Sequence, residues 1–156
     1  MSDMEYTLLG RTGLEVSVAG LGCGGHSRLG TANGRSADQA VEIVRHALEL
    51  GINFIDTAAA YGTEAIVGEG LAGKRQGVVI STKSSVSNKQ GFRSSDDVVE
   101  SLENSLRNLN TDYIDVFNLH GVTLADYDHA VDVILPALKE QQSLGKIRYL
   151  GVTEAF

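Results

Sequence analysis

Five short apolar runs recur along the chain, separated by longer stretches that have helical periodicity. The runs lie at 16–21, 53–57, 78–82, 113–119 and 147–152. Apolar residues occupy both alternating sides of each run, which is typical of parallel strands covered on both faces. The segment before them, 5–16, predicts a short hairpin that turns near residues 11–13.

Helical patterns fill the intervals between the strands, at 37–50, 63–71, 94–109 and 126–144. In the third of them Ser94 and Asp97 resemble a capping box. The fourth contains Pro136, the single proline of the chain. A proline there predicts either a break in the segment or a second short helix with Pro136 in its first turn.

Strand and helix therefore alternate four times, and a fifth strand follows. This order predicts an α/β fold built on a parallel sheet. No linker or low-complexity tract interrupts the pattern, so we expect residues 1–156 to belong to one domain.

Composition narrows the classes of function. The 156 residues carry a net charge of −7 with scattered lysines and arginines, which argues against a nucleic-acid surface. Cys23 is the only cysteine, so no internal disulfide can form and a reduced, cytoplasmic setting is favoured. The sequence has no secretory signal pattern and no apolar run of about 18 residues, so we expect no membrane span.

Ionisable residues end three consecutive predicted strands. Asp56 ends the second, Lys83 the third and His120 the fourth, while Tyr61 follows Asp56 in the next loop. The carboxyl ends of neighbouring parallel strands lie side by side, and active sites gather there. We therefore expect a carboxylate, an ammonium, a phenol and an imidazole around one pocket.

Each of these groups suggests a role. A phenol has a pKa of about 10, too high for efficient proton donation near neutral pH, but a nearby ammonium favours the phenolate and lowers that value. Lys83 could act on Tyr61 in this way if Asp56 holds its charge in place. His120 could hydrogen-bond a carbonyl oxygen and orient it. None of the four groups can donate hydride, so the constellation implies a cofactor.

The chain resembles the aldo-keto reductase family over essentially its whole length. The similarity is carried by Leu21-Gly22-Cys23-Gly24, Gly51-Ile52-Asn53-Phe54-Ile55-Asp56-Thr57-Ala58, Ala60-Tyr61-Gly62, Ser81-Thr82-Lys83, Tyr113-Ile114-Asp115-Val116, Leu119-His120 and Gly145-Lys146-Ile147-Arg148-Tyr149-Leu150-Gly151-Val152. The resemblance implies a (β/α)8 TIM-barrel type of fold. This chain would be its N-terminal portion, with a hairpin, about five parallel strands and four helical segments.

The resemblance also implies catalytic roles. Tyr61 would be the general acid–base and Lys83 would tune it. Asp56 would pair with Lys83, and His120 would orient the substrate carbonyl. NADPH, or less often NADH, would supply hydride to a small aldehyde or ketone.

For the cofactor, the resemblance implies contacts at the ends of strands one, two and five, namely from Gly22, Cys23, Gly24, Asp56, Thr153 and Glu154. The family often has Ser-Asn where Thr153 and Glu154 stand, and a carboxylate lacks the amide donor of asparagine. Strands six to eight of a complete barrel, which needs about 250 residues, have no counterpart in this sequence.

Several alternatives remain open. Each of the four catalytic candidates, taken alone, has an ordinary structural explanation as a cap, a surface charge or a rim residue. Gly20-Leu21-Gly22-Cys23-Gly24-Gly25 satisfies G-x-G-x-x-G, but no helix follows it directly, so a Rossmann loop is disfavoured. Asp115 is interpreted as structural, and no metal-ligand spacing is found.

The chain could also be a catalytically inactive half-barrel that binds a partner or self-associates through its open edges. A third alternative is a cofactor sensor that keeps the same residues.

Overall fold

The computed structural model of the protein describes residues 4–155. It begins with a hairpin, as predicted: β1 (Tyr6–Leu8) pairs antiparallel with β2 (Glu15–Ser17). The backbone N–H of Leu9 donates to the carbonyl of Leu14 over 2.8 Å and closes the turn.

The first strand of the main sheet is shorter than the predicted run 16–21. Val16 pairs with Thr7 in the hairpin, and the sheet strand β3 is only Leu21–Gly22. Ser17 is held in the hairpin layer by Asn53, whose side-chain oxygen accepts from the Ser17 backbone N–H at 2.6 Å. The apolar run was therefore divided by tertiary pairing, which an apolar pattern cannot reveal.

One parallel sheet contains five strands, which confirms the predicted number. They are β3, β4 (Phe54–Asp56), β5 (Val79–Ser85), β8 (Ile114–Val122) and β9 (Ile147–Glu154), in the spatial order β3-β4-β5-β8-β9. Each strand lies beside the one before it, as in a (β/α) barrel, whereas a doubly wound sheet reverses its order at a switch point. A small antiparallel hairpin of β6 (Ser87–Asn88) and β7 (Gly91–Phe92) follows β5.

Helices connect the parallel strands. They are α1 (Ala37–Glu49), α2 (Glu64–Gly70), α3 (Ser95–Leu109), and a composite fourth segment of α4 (Tyr127–His129), a π-helical turn (Ala130–Ile134) and α5 (Leu135–Ser143). Capping boxes start α1 at Ser36 and α3 at Ser94, the latter as predicted. Pro136 lies in the first turn of α5, as the second alternative predicted, although the helical backbone enters α5 from the π-helical turn without a break.

Alternating strand positions face two different layers. Ile55, Ile80 and Phe117 are fully buried against the helices. On the opposite face, Leu14 and Val16 of the hairpin pack against inner-face side chains, a cluster that includes Phe54, Val79, Val116 and Tyr149. The hairpin thus covers the inner face at the amino ends of the strands, and polar residues occupy the same face at the carboxyl ends.

Asp115 lies near the amino end of β8, and its contacts are structural, as interpreted from the sequence. It is 1% exposed and accepts hydrogen bonds from Arg75 at 2.8 Å, Arg148 at 2.8 Å and the backbone N–H of Ile80 at 3.0 Å. This cluster joins the early parts of β5, β8 and β9.

Within residues 4–155, no helix has the length and apolar character that crossing a membrane requires.

Candidate active site

Strand register brings the predicted residues to one end of the sheet. Asp56 on β4 pairs with Ser81 on β5, and Ser85, two residues beyond Lys83, pairs with His120 on β8. Because the strands are parallel and adjacent, all three ionisable side chains lie at their carboxyl ends. The three side chains lie at the sheet edge that the order of strands and helices predicted.

Lys83 and Asp56 form a compact ion pair. The Lys83 Nζ lies 2.7 Å from both carboxylate oxygens of Asp56 and 2.8 Å from the carbonyl of Thr57. These three acceptors match the three hydrogens of the ammonium. Lys83 is 6% exposed, so its charge is fixed in position rather than moving in solvent.

Two further polar residues orient Asp56 and were not identified from the sequence. The Ser81 hydroxyl donates to Asp56 Oδ1 at 2.9 Å, and the Asn118 amide donates to Ser81 Oγ at 3.1 Å. Ser81 lies two residues before Lys83, and Asn118 two residues before His120. Side chains two apart share a strand face, so this parity was the signal available in the sequence.

Tyr61 approaches the pair from a 3-10 turn, Ala59–Tyr61, which ends at Gly62 in a left-handed conformation (φ 71°). The Lys83 ammonium lies 5.3 Å from the centroid of the tyrosine ring. The His120 ring meets the Tyr61 ring edge to face, with centroids 5.6 Å apart and planes at 85°. Phenol, ammonium and imidazole therefore occupy one site, as the sequence predicted.

The environment of His120 keeps its imidazole neutral. Burial lowers the pKa of His120 below its usual 6.5, and the Lys83 ammonium lowers it further, while Asp56 acts in the opposite direction. A neutral imidazole offers one N–H donor and one acceptor nitrogen. At physiological pH the group can therefore donate a hydrogen bond to an oxygen without bringing a positive charge.

Most of the residues predicted to contact a cofactor lie at the exposed rim of the site, whereas the Cys23 side chain is buried. Gly22 is exposed beside Asp56 and has no heavy atom within 4 Å of the place where a Cβ would stand. Thr153 is half-buried; its hydroxyl accepts from the Gly121 N–H at 2.8 Å, and Glu154 is exposed at the end of β9. These residues therefore lie at the rim of the sheet, where Gly22 leaves open space and Glu154 offers a carboxylate acceptor without an amide donor.

Cys23 is placed differently. It is fully buried, and its side chain belongs to the core between the sheet and the helices. Burial, assisted by the Asp56 carboxylate and opposed by Lys83, raises the pKa of its thiol to about 12. Only its backbone joins the site, where its N–H donates to the Asp56 carbonyl at 2.8 Å. The structure therefore does not bring the Cys23 side chain to a surface that a ligand could reach.

Comparison with known proteins decides the family. The model of the aldo/keto reductase family matches residues 21–155. The chain belongs to this family. It is 38% identical to L-galactose dehydrogenase from Arabidopsis thaliana over 161 residues, which cover 98% of this chain and 49% of that protein. The chain thus spans about half the length of the curated relatives it matches.

Solved structures agree with this family assignment. The aldo-keto reductase AKR11C1 from Bacillus halodurans, in its holo form, matches with a TM-score of 0.81 and 37% identity over 97% of this chain and 50% of that chain. The Bombyx mori aldo-keto reductase AKR2E4, solved in complex with NADP, matches with a TM-score of 0.75 and 27% identity over 97% of this chain and 51% of that chain. The predicted family and fold class are confirmed.

Proposed function

We propose that the protein reduces the carbonyl group of an aldehyde or ketone to an alcohol, with NADPH, or less often NADH, as the source of hydride. The observation that carries this proposal is the grouping of Tyr61, Lys83 and His120 around one site, with the ammonium 5.3 Å from the tyrosine ring. Membership of the aldo/keto reductase family and the NADP complex of the Bombyx mori relative support the choice of cofactor.

Tyr61 is the proton donor in this proposal. A bound reduced nicotinamide would supply hydride to the carbonyl carbon and would be oxidised in return. Tyr61 gives its hydroxyl proton to the carbonyl oxygen, which becomes the alcohol oxygen, and a proton taken up from solvent later restores the Tyr61 hydroxyl. The Lys83 ammonium stabilises the phenolate that is left behind, because opposite charges attract strongly in a partly desolvated site.

The other side chains position the reactants. Asp56 fixes the Lys83 charge through two contacts of 2.7 Å, so little reorganisation is needed when the phenolate forms. The neutral His120 donates a hydrogen bond to the carbonyl oxygen and sets its direction. Gly22, Gly24, Thr153 and Glu154 would hold the nicotinamide end of the cofactor, with Asp56 beside it. We also propose that the protein works in the reducing environment of the cytoplasm.

Tyr61→Phe in the full-length protein tests the proton donor. We expect carbonyl reduction to fall by about 10² to 10⁴-fold, the usual contribution of a general acid, while cofactor binding persists. Cofactor oxidation is followed by absorbance and binding by calorimetry. Tyr6→Phe is the matched control, because Tyr6 is an exposed hairpin tyrosine whose hydroxyl donates to the Gly51 carbonyl. Turnover of the Tyr61→Phe protein equal to that of the control would exclude this role.

A further inference from the structure

Glu64 is a buried carboxylate that the reaction scheme above does not use. It is the first residue of α2 and is only 3% exposed. One carboxylate oxygen accepts from the Thr82 hydroxyl at 2.7 Å, and the other accepts from the Asn108 side-chain amide at 3.3 Å. Within residues 4–155, no lysine, arginine or histidine lies at ion-pair distance from it.

Glu64 is connected to the site through the face of the sheet that packs against the helices. Thr82 precedes Lys83 on β5, so its side chain lies on the opposite face of the sheet, towards the helices. Glu64 itself follows Tyr61 by three residues. The 2.7 Å bond between Glu64 and Thr82 therefore ties the end of the Tyr61 loop to the strand that carries Lys83.

The start of the same loop is tied to the same strand. The Thr57 N–H donates to the Ser81 carbonyl at 2.8 Å, and the Thr57 carbonyl accepts from Lys83 Nζ at 2.8 Å. The hydroxyls of Thr57 and Thr63 lie 3.0 Å apart and close the loop across its base. Both ends of the segment that presents Tyr61 are thus fixed to β5.

We propose that Glu64 is a positioning residue, which sets the distance between Tyr61 and Lys83 through its hydrogen bond to Thr82. A buried carboxylate without a cation has a large desolvation cost, and an apolar side chain of similar volume would fill the same space without it. A directional bond at this point supplies what an apolar contact cannot, namely a fixed register between the loop and the strand. The inference rests on the proposed function, since it concerns the proton donor of that reaction.

Thr82→Val in the full-length protein tests the inference, because valine keeps the shape of threonine and removes the hydroxyl. We expect kcat for carbonyl reduction to fall by about 10 to 100-fold, the usual effect of a misplaced catalytic group, with KM and cofactor affinity unchanged. Thr82→Ser should restore kcat. Ser101→Ala is the matched control, because it removes a 2.9 Å hydroxyl contact to Ser84 on the same face of β5 without touching the Tyr61 loop.

The outcomes separate this inference from the proposed function. A wild-type protein that reduces carbonyls, together with a Thr82→Val protein of equal kcat, overturns the role of Glu64 alone. A wild-type protein without carbonyl reductase activity overturns the proposed function. Crystal structures of wild type and Thr82→Val then decide the role of Glu64: a displaced Tyr61 ring supports it, and an unmoved ring rejects it.

Discussion

The backbone of Gly24 lies directly against the ring of Tyr61: a methyl group added at Gly24 would come within 2.5 Å of ring atom Cε2 and 2.7 Å of Cζ. Such a contact cannot exist, so a side chain at position 24 forces the ring away. The absence of a side chain at Gly24 therefore allows the Tyr61 ring to occupy its position. This steric effect is independent of any contact between Gly24 and a cofactor.

Gly24→Ala should consequently displace the Tyr61 ring and break its edge-to-face contact with His120. We expect a loss of about 10 to 100-fold in kcat, because small displacements of reacting groups have effects of this size. The nuclear Overhauser contact between the two rings reports the displacement directly. Gly22→Ala serves as the control for ring position, because an added Cβ there meets no heavy atom within 4 Å. An intact ring contact in Gly24→Ala would contradict the prediction.

The positions of Asp56, Lys83 and His120 could be predicted because strand ends in a parallel sheet follow directly from the order of strands and helices. Their hydrogen-bonded partners could not be predicted as readily. Ser81 and Asn118 are small polar residues within apolar runs, and their role depends on a register that only the folded sheet defines.

Two other features depended on tertiary structure. Val16 continues an apolar run, yet it pairs with Thr7 in the hairpin, because antiparallel pairing outweighed the local pattern. Cys23 follows Gly22, which pairs with Asp56, so its side chain alternates to the helix side of the sheet. The side of the sheet on which the Cys23 side chain lies could not be derived before the pairing of β3 with β4 was known.

His120 should titrate below pH 6.5 in the folded protein. Burial disfavours its charged form first, and the Lys83 ammonium adds to that effect. The unfolded chain takes up a proton near pH 6.5 while the folded chain does not. His120 therefore contributes stability that is complete above pH 6.5 and is lost as the pH falls from 6.5 towards the folded pKa.

Two substitutions give this titration a directional check. Lys83→Met should raise the pKa of His120, because it removes a nearby positive charge, and Asp56→Asn should lower it, because it removes a negative one. The measurement is an NMR titration of the His120 ring in each variant. Shifts in the opposite directions would show that the electrostatic account of the site is wrong.

The thiol of Cys23 should be unreactive in the native protein. Its pKa of about 12 leaves almost no thiolate at pH 8, and its full burial excludes reagent. We expect no alkylation of Cys23 by iodoacetamide at pH 8 until urea unfolds the chain, as measured by the mass of the peptide that contains it. Complete labelling under native conditions would be inconsistent with a buried, protonated thiol.

Removal of the Asp115 carboxylate should affect stability and leave chemistry intact. Asp115→Ala would leave the Arg75 guanidinium and the Ile80 N–H without their buried acceptor. The loss of one partner from a buried ion pair costs about 3 to 5 kcal/mol, so we expect a decrease of that size in the free energy of unfolding. Arg148→Ala should cost only about 1 kcal/mol or less, because the Arg148 side chain is 47% exposed. Urea unfolding of both variants measures the difference. If both variants lost the same free energy of unfolding, Asp115 would stabilise the sheet mainly through Arg148, its exposed partner. Its hydrogen bonds to Arg75 and to the Ile80 N–H would then contribute little.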